Sequence, residues 1–419
     1  MQPQPSAAGL AAPVSPSERI ATLDILRAFA LLGILVMNLP DMYSNSWVAV
    51  MPEKRWPEWY NRAAISLMEC FFSGKFNSLF SFLFGIGFTI QLERLMSRSP
   101  RPIFIYLKRL TYLLLFGIAH AIFIWTGDVL HMYALLGMFL VLVRKGSDKV
   151  VLGMILAGLL LSPALYLRQM LTYTTRDEAR DRATVQRMGK LVDQAYTRGT
   201  YAEATRVRAL EMKQIYSDPR ALRFYPTLFT TILLGFYVGR KKYIQNAGAN
   251  LAFIRRVAIW SFSIGMTCAI AFAAVRPLLV PFKPSWLGVF VSAMYSWQRP
   301  ALMLFYVSAL ALLIHHPHWN KLLAPLAYTG RMPLTNYLAQ SVIGTMIFYG
   351  YGLGFRHHCG PALGLALSVV IYAAQVRWSI WWFERFQFGP AEWLWRALTY
   401  EHAPAMRLPA HVRMSQPAA

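Results

Sequence analysis

Two residues that can move a proton stand eight positions apart in one apolar run: His120 and Asp128 in RLTYLLLFGIAHAIFIWTGD, which begins at Arg109. An imidazole takes up and releases a proton near neutral pH, and a nearby carboxylate can fix its tautomer. On a continuous helix Gly117, His120, Gly127 and Asp128 fall within about 100° of arc. The spacing predicts His120 as a base or group carrier, oriented by Asp128 directly or through water. The plainer reading is a packing histidine.

Other polar residues sit where hydrocarbon rejects them, and an ionisable side chain inside a span is a functional-site hypothesis by default. In the first run Asp24, Arg27 and Asn38 share about 60° of one helix face. Asp24 and Arg27 are three apart and predicted to pair; Asn38 follows ~21 Å further along. Lys75 heads GKFNSLFSFLFGIGF from Gly74, on one face with Ser78, Gly85, Thr89 and Glu93. Arg331 and Asn336 belong to GRMPLTNYLAQS from Gly330, with Asn336, Gln340 and Gly344 on a common face. The expected substrate-binding set is therefore Asp24, Arg27, Asn38, Lys75, Arg331 and Asn336. Against it stand plainer uses: an ion pair anchoring the first helix, a lysine reaching the outer surface, and hydrogen bonds between helices. His120 is the histidine placed clearly within a span. His315–His318 and His357–Cys359 read as loop residues, and Cys70, Cys268 and Cys359 are widely spaced. Neither a metal site nor a disulfide is expected. No phosphate-binding glycine loop, nucleophile elbow or HExxH helix is present.

The elements that must position these residues are membrane spans. The chain has 419 residues, 56% hydrophobic and only 15% charged, against roughly a quarter charged in soluble domains. Its mean hydropathy is +0.37. Runs long enough for a span, which takes ~20 apolar residues, recur from 25 to 384. A soluble domain and a disulfide-stapled secreted one are excluded. The fold predicted is an all-α, polytopic membrane bundle of about ten helices. Its apolar segments lie near 25–44, 70–92, 110–126, 129–143, 150–168, 225–239, 257–280, 300–314, 328–350 and 361–383. The stretch 286–297 is expected to lie at the interface, with Trp286 and Trp297 as belt residues. The net charge of +23 is read as basic loops beside anionic lipid, not as nucleic-acid binding. With the N-terminus inside, the short inner loops hold fourteen Lys or Arg and the short outer ones seven, which places both termini in the cytoplasm. Five regions follow. Residues 1–18 are a disordered tail, 19–168 and 225–400 two membrane halves, 169–224 an outer segment of amphipathic helices, and 401–419 a second tail.

Six stretches in order resemble the YeiB-like family of bacterial inner-membrane proteins, whose C-terminal half is a domain of unknown function. They are RIATLDILRAFALLGILVMN from Arg19, GKFNSLFSFLFGIGF, GIAHAIFIWTGDVLHMYALLG from Gly117, GRMPLTNYLAQS, FYGYGLG from Phe348 and GPAEWLWRALTY from Gly389. Ala28 stands where the family usually has Gly. The LDxLR and LTNY patterns are also similar to a wider set of transmembrane acyltransferases, which use cytoplasmic acyl-CoA to modify a sugar across the membrane. The heparan-modifying enzyme of that set carries its catalytic His just after the first span, where residues 39–62 here hold none. His120 would serve from another helix. The resemblance implies acyl-CoA as co-substrate, no permanently bound cofactor, and membrane lipid and an extracytoplasmic glycan as partners. Arg27, Arg109 and Arg331 would take the acyl-CoA phosphates, since guanidinium forks suit phosphate. Asn38, Asn336 or Lys75 would donate to a developing oxyanion. A proton-coupled transporter of a small solute uses the same residues, with His120 and Asp128 carrying protons. A scaffold without turnover is the third reading.

Overall fold

The computed structural model describes residues 21–45, 47, 55–218, 220, 224–401 and 403–408. Both predicted tails fall mainly outside them. The chain is all-α: among the described residues there is no strand, only an isolated bridge between Phe386 and Arg407. In chain order the helices begin with α1 (Ala21–Tyr43), α2 (Trp59–Leu67), α3 (Lys75–Arg98), α4 (Pro102–Phe123) and α5 (Leu130–Val143). Next come α6 (Asp148–Thr172), α7 (Thr175–Arg198), α8 (Tyr201–Ser217), α9 (Phe224–Arg240) and α10 (Leu251–Val275). The last are α11 (Trp286–His315), α12 (Pro317–Leu323), α13 (Leu326–Arg331), α14 (Pro333–Phe348), α15 (Pro361–Phe383) and α16 (Pro390–Tyr400).

Each predicted apolar run is helical, but 328–350 divides at Met332 into α13 and α14, and 70–92 is interrupted at Gly74, ahead of α3. Among the described residues, seven helical stretches are long and apolar enough to cross a membrane. The other three, α5, α9 and α14, have 14, 17 and 16 residues. At 1.5 Å per residue they reach ~21–26 Å, short of a ~30 Å hydrocarbon core. One expectation fails. Residues 286–297 are not a separate interfacial segment but the first half of the 30-residue α11, which runs through Pro300. Proline is tolerated in a span where neighbours re-satisfy the freed backbone, and Pro300 is buried.

Packing gives the helix directions. Gly330 lies on Asp24 and Gly344 on Met42, so α13 and α14 run alongside α1 in the same sense. Gly364 faces Tyr43, while the Tyr372 hydroxyl donates to Ala28 O at 2.7 Å, so α15 is antiparallel to α1. Helices α3 and α9 meet backbone to backbone, where a Cβ on Gly85 or Gly235 would collide with a main-chain carbonyl of the other. Such small-residue seams let helices approach where lipid gives no hydrophobic drive. The α1 N-terminus, the ends of α3 and α15 and the start of α4 share one end of the bundle. The α4–α5 turn, α7 and α8 cover the other. Helices α7 and α8 each open on a full capping box, Thr174 with Asp177 and Thr200 with Glu203, the sequence signature of a helix start.

Candidate functional site

The site begins where α4 ends. Ile124 N and Trp125 N both donate to His120 O at 2.9 Å, which closes the last turn. Arg208 on α8 is fully buried and completes the end. Its Nε donates to Ile122 O at 2.9 Å and its Nη2 to Phe123 O at 3.1 Å. A cation on the last carbonyls of a helix is where the helix dipole favours one. The chain then doubles back into α5. Gly117 makes room for the return: a Cβ there would collide with His131 N and stand 2.8 Å from Asp128 Oδ2.

That turn sets one carboxylate between two imidazoles. Asp128 Oδ1 lies 2.9 Å from His120 Nδ1, and Oδ2 lies 2.6 Å from His131 Nδ1. His131 N also donates to Oδ2, at 3.1 Å. All three side chains are buried. The donor set suits an ionised carboxylate, which only accepts, so both Nδ1 atoms carry a proton. His131 Nε2 meets the Tyr216 hydroxyl, and Tyr225 stands 3.3 Å beyond it. His120 Nε2 is buried with no hydrogen-bond partner. A buried polar atom left unmet costs about 1–3 kcal/mol, and in this cluster that atom is His120 Nε2.

Tyr337 of α14 joins this cluster to a cavity. Its ring lies 5.2 Å from the His120 ring and its hydroxyl 3.5 Å from Asp128 Oδ1. It also lines a cavity of about 340 Å³ at the end where α1 begins, a size typical of small-molecule sites. Six arginines line it (Arg27, Arg94, Arg98, Arg109, Arg331 and Arg396) against the carboxylates of Asp24 and Glu392, with no lysine. Phe80, Leu83, Phe84, Phe88, Leu110 and Leu113 line its apolar part. Asp24 and Arg27 pair at 2.6 Å. The Arg109 guanidinium lies 3.7 Å over the Trp395 ring and Arg331 3.9 Å over Phe383, so both forks are held by stacking. Glu392 caps α14, accepting from Leu334 N at 2.6 Å, Thr335 N at 3.1 Å and Thr335 Oγ1 at 2.6 Å. The GPAEW and LTNY motifs are thus two halves of one joint.

The sequence-predicted residues divide. His120 and Asp128 meet, but across a turn and not along one helix face. Asp24, Arg27, Arg109 and Arg331 share the cavity. Asn336 does not line it: its Nδ2 reaches Thr329 O and Ser379 Oγ, and its backbone carbonyl accepts from Gln375 Nε2. Lys75 is buried, with Nζ donating to Glu69 O at 2.7 Å, so it does not reach the outer surface as a snorkelling lysine would. Asn38 is half-buried on α1 and lines none of the cavities described here. His131, Tyr337 and Glu392 escape sequence reasoning. His131 had a signal, since Asp128-x-x-His131 is the spacing of a helix-capping aspartate and the residue that it caps.

The family model described as a protein of unknown function, DUF418, matches residues 238–402. The uncharacterised protein YxaH of Bacillus subtilis is 31% identical over 408 residues, covering 93% of this chain and 96% of its own length. The chain belongs to the YeiB-like family. The Escherichia coli protein YeiB, also uncharacterised, is 28% identical over 92% of this chain and 97% of its own length. A 39.9 kDa protein from the amylase 3' region of Bacillus acidopullulyticus is 26% identical over 93% of this chain and 96% of its own length. YeiB-like relatives therefore match this chain almost end to end.

Proposed function

We propose that this YeiB-like chain is a membrane acyltransferase, taking an acyl group from acyl-CoA at the arginine-lined cavity and passing it to a hydroxyl that enters from the opposite end. The observation that carries this reading is a cavity lined by six arginines at its mouth and by apolar side chains further in, with Tyr337 in its wall and that ring 5.2 Å from the His120 ring. Guanidinium forks hold the phosphates. The thioester extends along that apolar part toward His120. His120 Nε2 accepts the acceptor's proton as its oxygen attacks the thioester carbon, and the Tyr337 hydroxyl donates to the developing oxyanion. Collapse of the tetrahedral adduct breaks the C–S bond. The departing thiolate takes the proton from His120, which returns the site to its starting state. Asp128 holds His120 in the tautomer that leaves Nε2 free. The charge bias of the loops supports an arginine end at the cytoplasm, in this reading of a bacterial inner membrane, with the acceptor on the far side.

The test is calorimetric titration of acetyl-CoA and longer acyl-CoAs into the purified protein. Saturable binding, weakened about tenfold or more by Arg331→Ala, supports the reading, because one charge-assisted hydrogen bond is worth that much. Absence of binding to a folded protein overturns it. The same His–Asp–His cluster would then be tested as a proton-coupling site, by solute flux in vesicles under a pH gradient.

A further inference from the structure

A cleft of about 800 Å³ opens at the end of the bundle that α7 and α8 cover, away from the arginine-lined cavity. Its walls come from the ends of α6 and α8, from α7, and from the loop 276–285 that joins α10 to α11. That loop lies where two long apolar helices end. Leu278, Val280 and Trp286 stand exposed along it, with Arg276 and Lys283 between them. Exposed apolar and aromatic side chains mixed with cations mark the headgroup level of a bilayer, where rings and long basic chains settle between lipid tails and water. The cleft therefore opens at the depth of lipid phosphates.

Its charge is unbalanced. Arg180, Arg220, Arg276 and Lys283 line it against Asp181 and Asp218. Arg220 engages both aspartates, with Nη2 2.8 Å from Asp181 Oδ1 and Nε 2.8 Å from Asp218 Oδ1. Arg276 meets the carboxylate of Glu69, which does not line the cleft. Lys283 is exposed, and among the described residues its Nζ has neither a hydrogen bond nor an ion pair. An adjoining cleft shares the Trp47 and Phe282 walls and sets Arg55, Arg182 and Lys190 against Asp193. Phe282 holds a left-handed backbone, φ 61, which a bulky residue adopts where its surroundings impose it.

The excess continues behind Arg276. Lys75 and Arg299 are 1% and 3% exposed. Lys75 Nζ donates to Glu69 O at 2.7 Å and Arg299 Nε to Gly74 O at 3.3 Å. Among the described residues neither cation pairs with a carboxylate. The Glu69 side chain, on the residue whose carbonyl holds Lys75, is taken by Arg276. Buried charges are ordinarily paired. A cleft lined by one sign of charge, above unpaired buried charge of the same sign, draws an anion. The apolar residues at its lip favour an anion that arrives in the plane of the membrane over a dissolved one.

We infer that this cleft is a binding site for the phosphate of an anionic membrane lipid, with the headgroup beside Arg276 and Lys283 and the chains on the apolar side of the loop. Such a site is independent of the acyl-transfer reading. The experiment is native mass spectrometry of the purified protein in a non-ionic detergent, titrated with phosphatidylglycerol or phosphatidylcholine, with inorganic phosphate as competitor. Saturable retention of phosphatidylglycerol in preference to phosphatidylcholine is expected. Lys283→Glu, at an exposed position that leaves folding intact, is expected to weaken it about tenfold or more, the loss of one charge-assisted contact. Lys213→Glu, at an exposed position of α8 that lines neither cleft, makes the same change in net charge and should leave retention unaltered. So should Arg331→Ala in the arginine-lined cavity. Equal retention of phosphatidylcholine would overturn the inference, as would Lys283→Glu binding like the wild type. Loss of the lipid in Arg331→Ala alone would overturn it by placing the lipid in the other cavity. Displacement by inorganic phosphate at equal concentration would overturn the lipid as occupant and leave a dissolved phosphate in its place.

Discussion

Replacing Gly117 by alanine tests whether the doubled-back turn holds the cluster together. A Cβ at 117 would collide with His131 N and stand 2.8 Å from Asp128 Oδ2 and 2.9 Å from His131 Cα, where ordinary contacts begin at 3.4 Å. Two of the three neighbours are backbone, so no rotamer change relieves the clash. The start of α5 must move by about half an ångström or more. Overpacking of this kind costs about 1–3 kcal/mol. Separating Asp128 from His131 N also loosens the cap on α5, worth about 0.5–2 kcal/mol. The His120 contact at 2.9 Å opens with it, which under the proposed acyl transfer costs about a hundredfold in rate. The control is Gly153→Ala on α6, where a Cβ meets nothing within 4 Å. Thermal unfolding of both variants, followed by tryptophan fluorescence, should show a clear drop for Gly117→Ala and none for Gly153→Ala. Equal stability of the two variants would refute the geometry from which the site is built.

Three further outcomes are expected. Glu392→Ala leaves two backbone donors and a hydroxyl without their acceptor at the start of α14, at about 1–3 kcal/mol for each group left unmet; thermal scanning should show a large loss, partly restored by Glu392→Gln. His357→Asn probes a pH dependence. Burial holds the His357 imidazole below its ordinary 6.5, against the pull of Asp193, and Arg55 occupies its Nδ1, so the folded state favours the neutral ring. That contribution is complete above 6.5 and is lost as pH falls through the lowered value. Unfolding midpoints at pH 5 and 7.5 should therefore differ more for the wild type than for the variant, in which asparagine accepts the left-handed backbone at φ 72. Arg208→Met removes the guanidinium from Ile122 O and Phe123 O; hydrogen exchange in the last turn of α4 should rise relative to its middle.

What the sequence made legible was what lipid enforces. Apolar runs must be helices because no backbone group may go unpaired in hydrocarbon, and each run is helical, although 328–350 breaks at Met332 into two helices. The Asp24–Arg27 pair followed from its spacing. The partnership of His120 and Asp128 was visible, but its geometry was not. Within FIWTGDVLH the Asp128-x-x-His131 spacing hints at a new helix, but the run is too apolar to show that α4 stops at Phe123, where Arg208 from 85 residues away takes the last carbonyl. Residues 286–297 went the other way: read apart as an interfacial stretch, they are continuous with 300–314 in α11, which carries Pro300 inside it. Lys75 and Asn336 show the limit of reading faces. A polar face inside a bundle is as readily a joint between helices as a wall of a cavity, and only the neighbours decide.

The cap that Glu392 places on α14 bears on how such chains are handled. Reporter fusions made by cutting a membrane protein after successive spans assume that each fragment inserts much as the whole does. A cut after α15, the last span, discards α16 and with it both Glu392 and the Trp395 indole that donates to Arg109 O at 2.8 Å. The helix bearing Tyr337 would then start uncapped, and the arginine-lined mouth would lose one wall. Tags and reporters on a YeiB-like chain belong in its loops, or beyond residue 408.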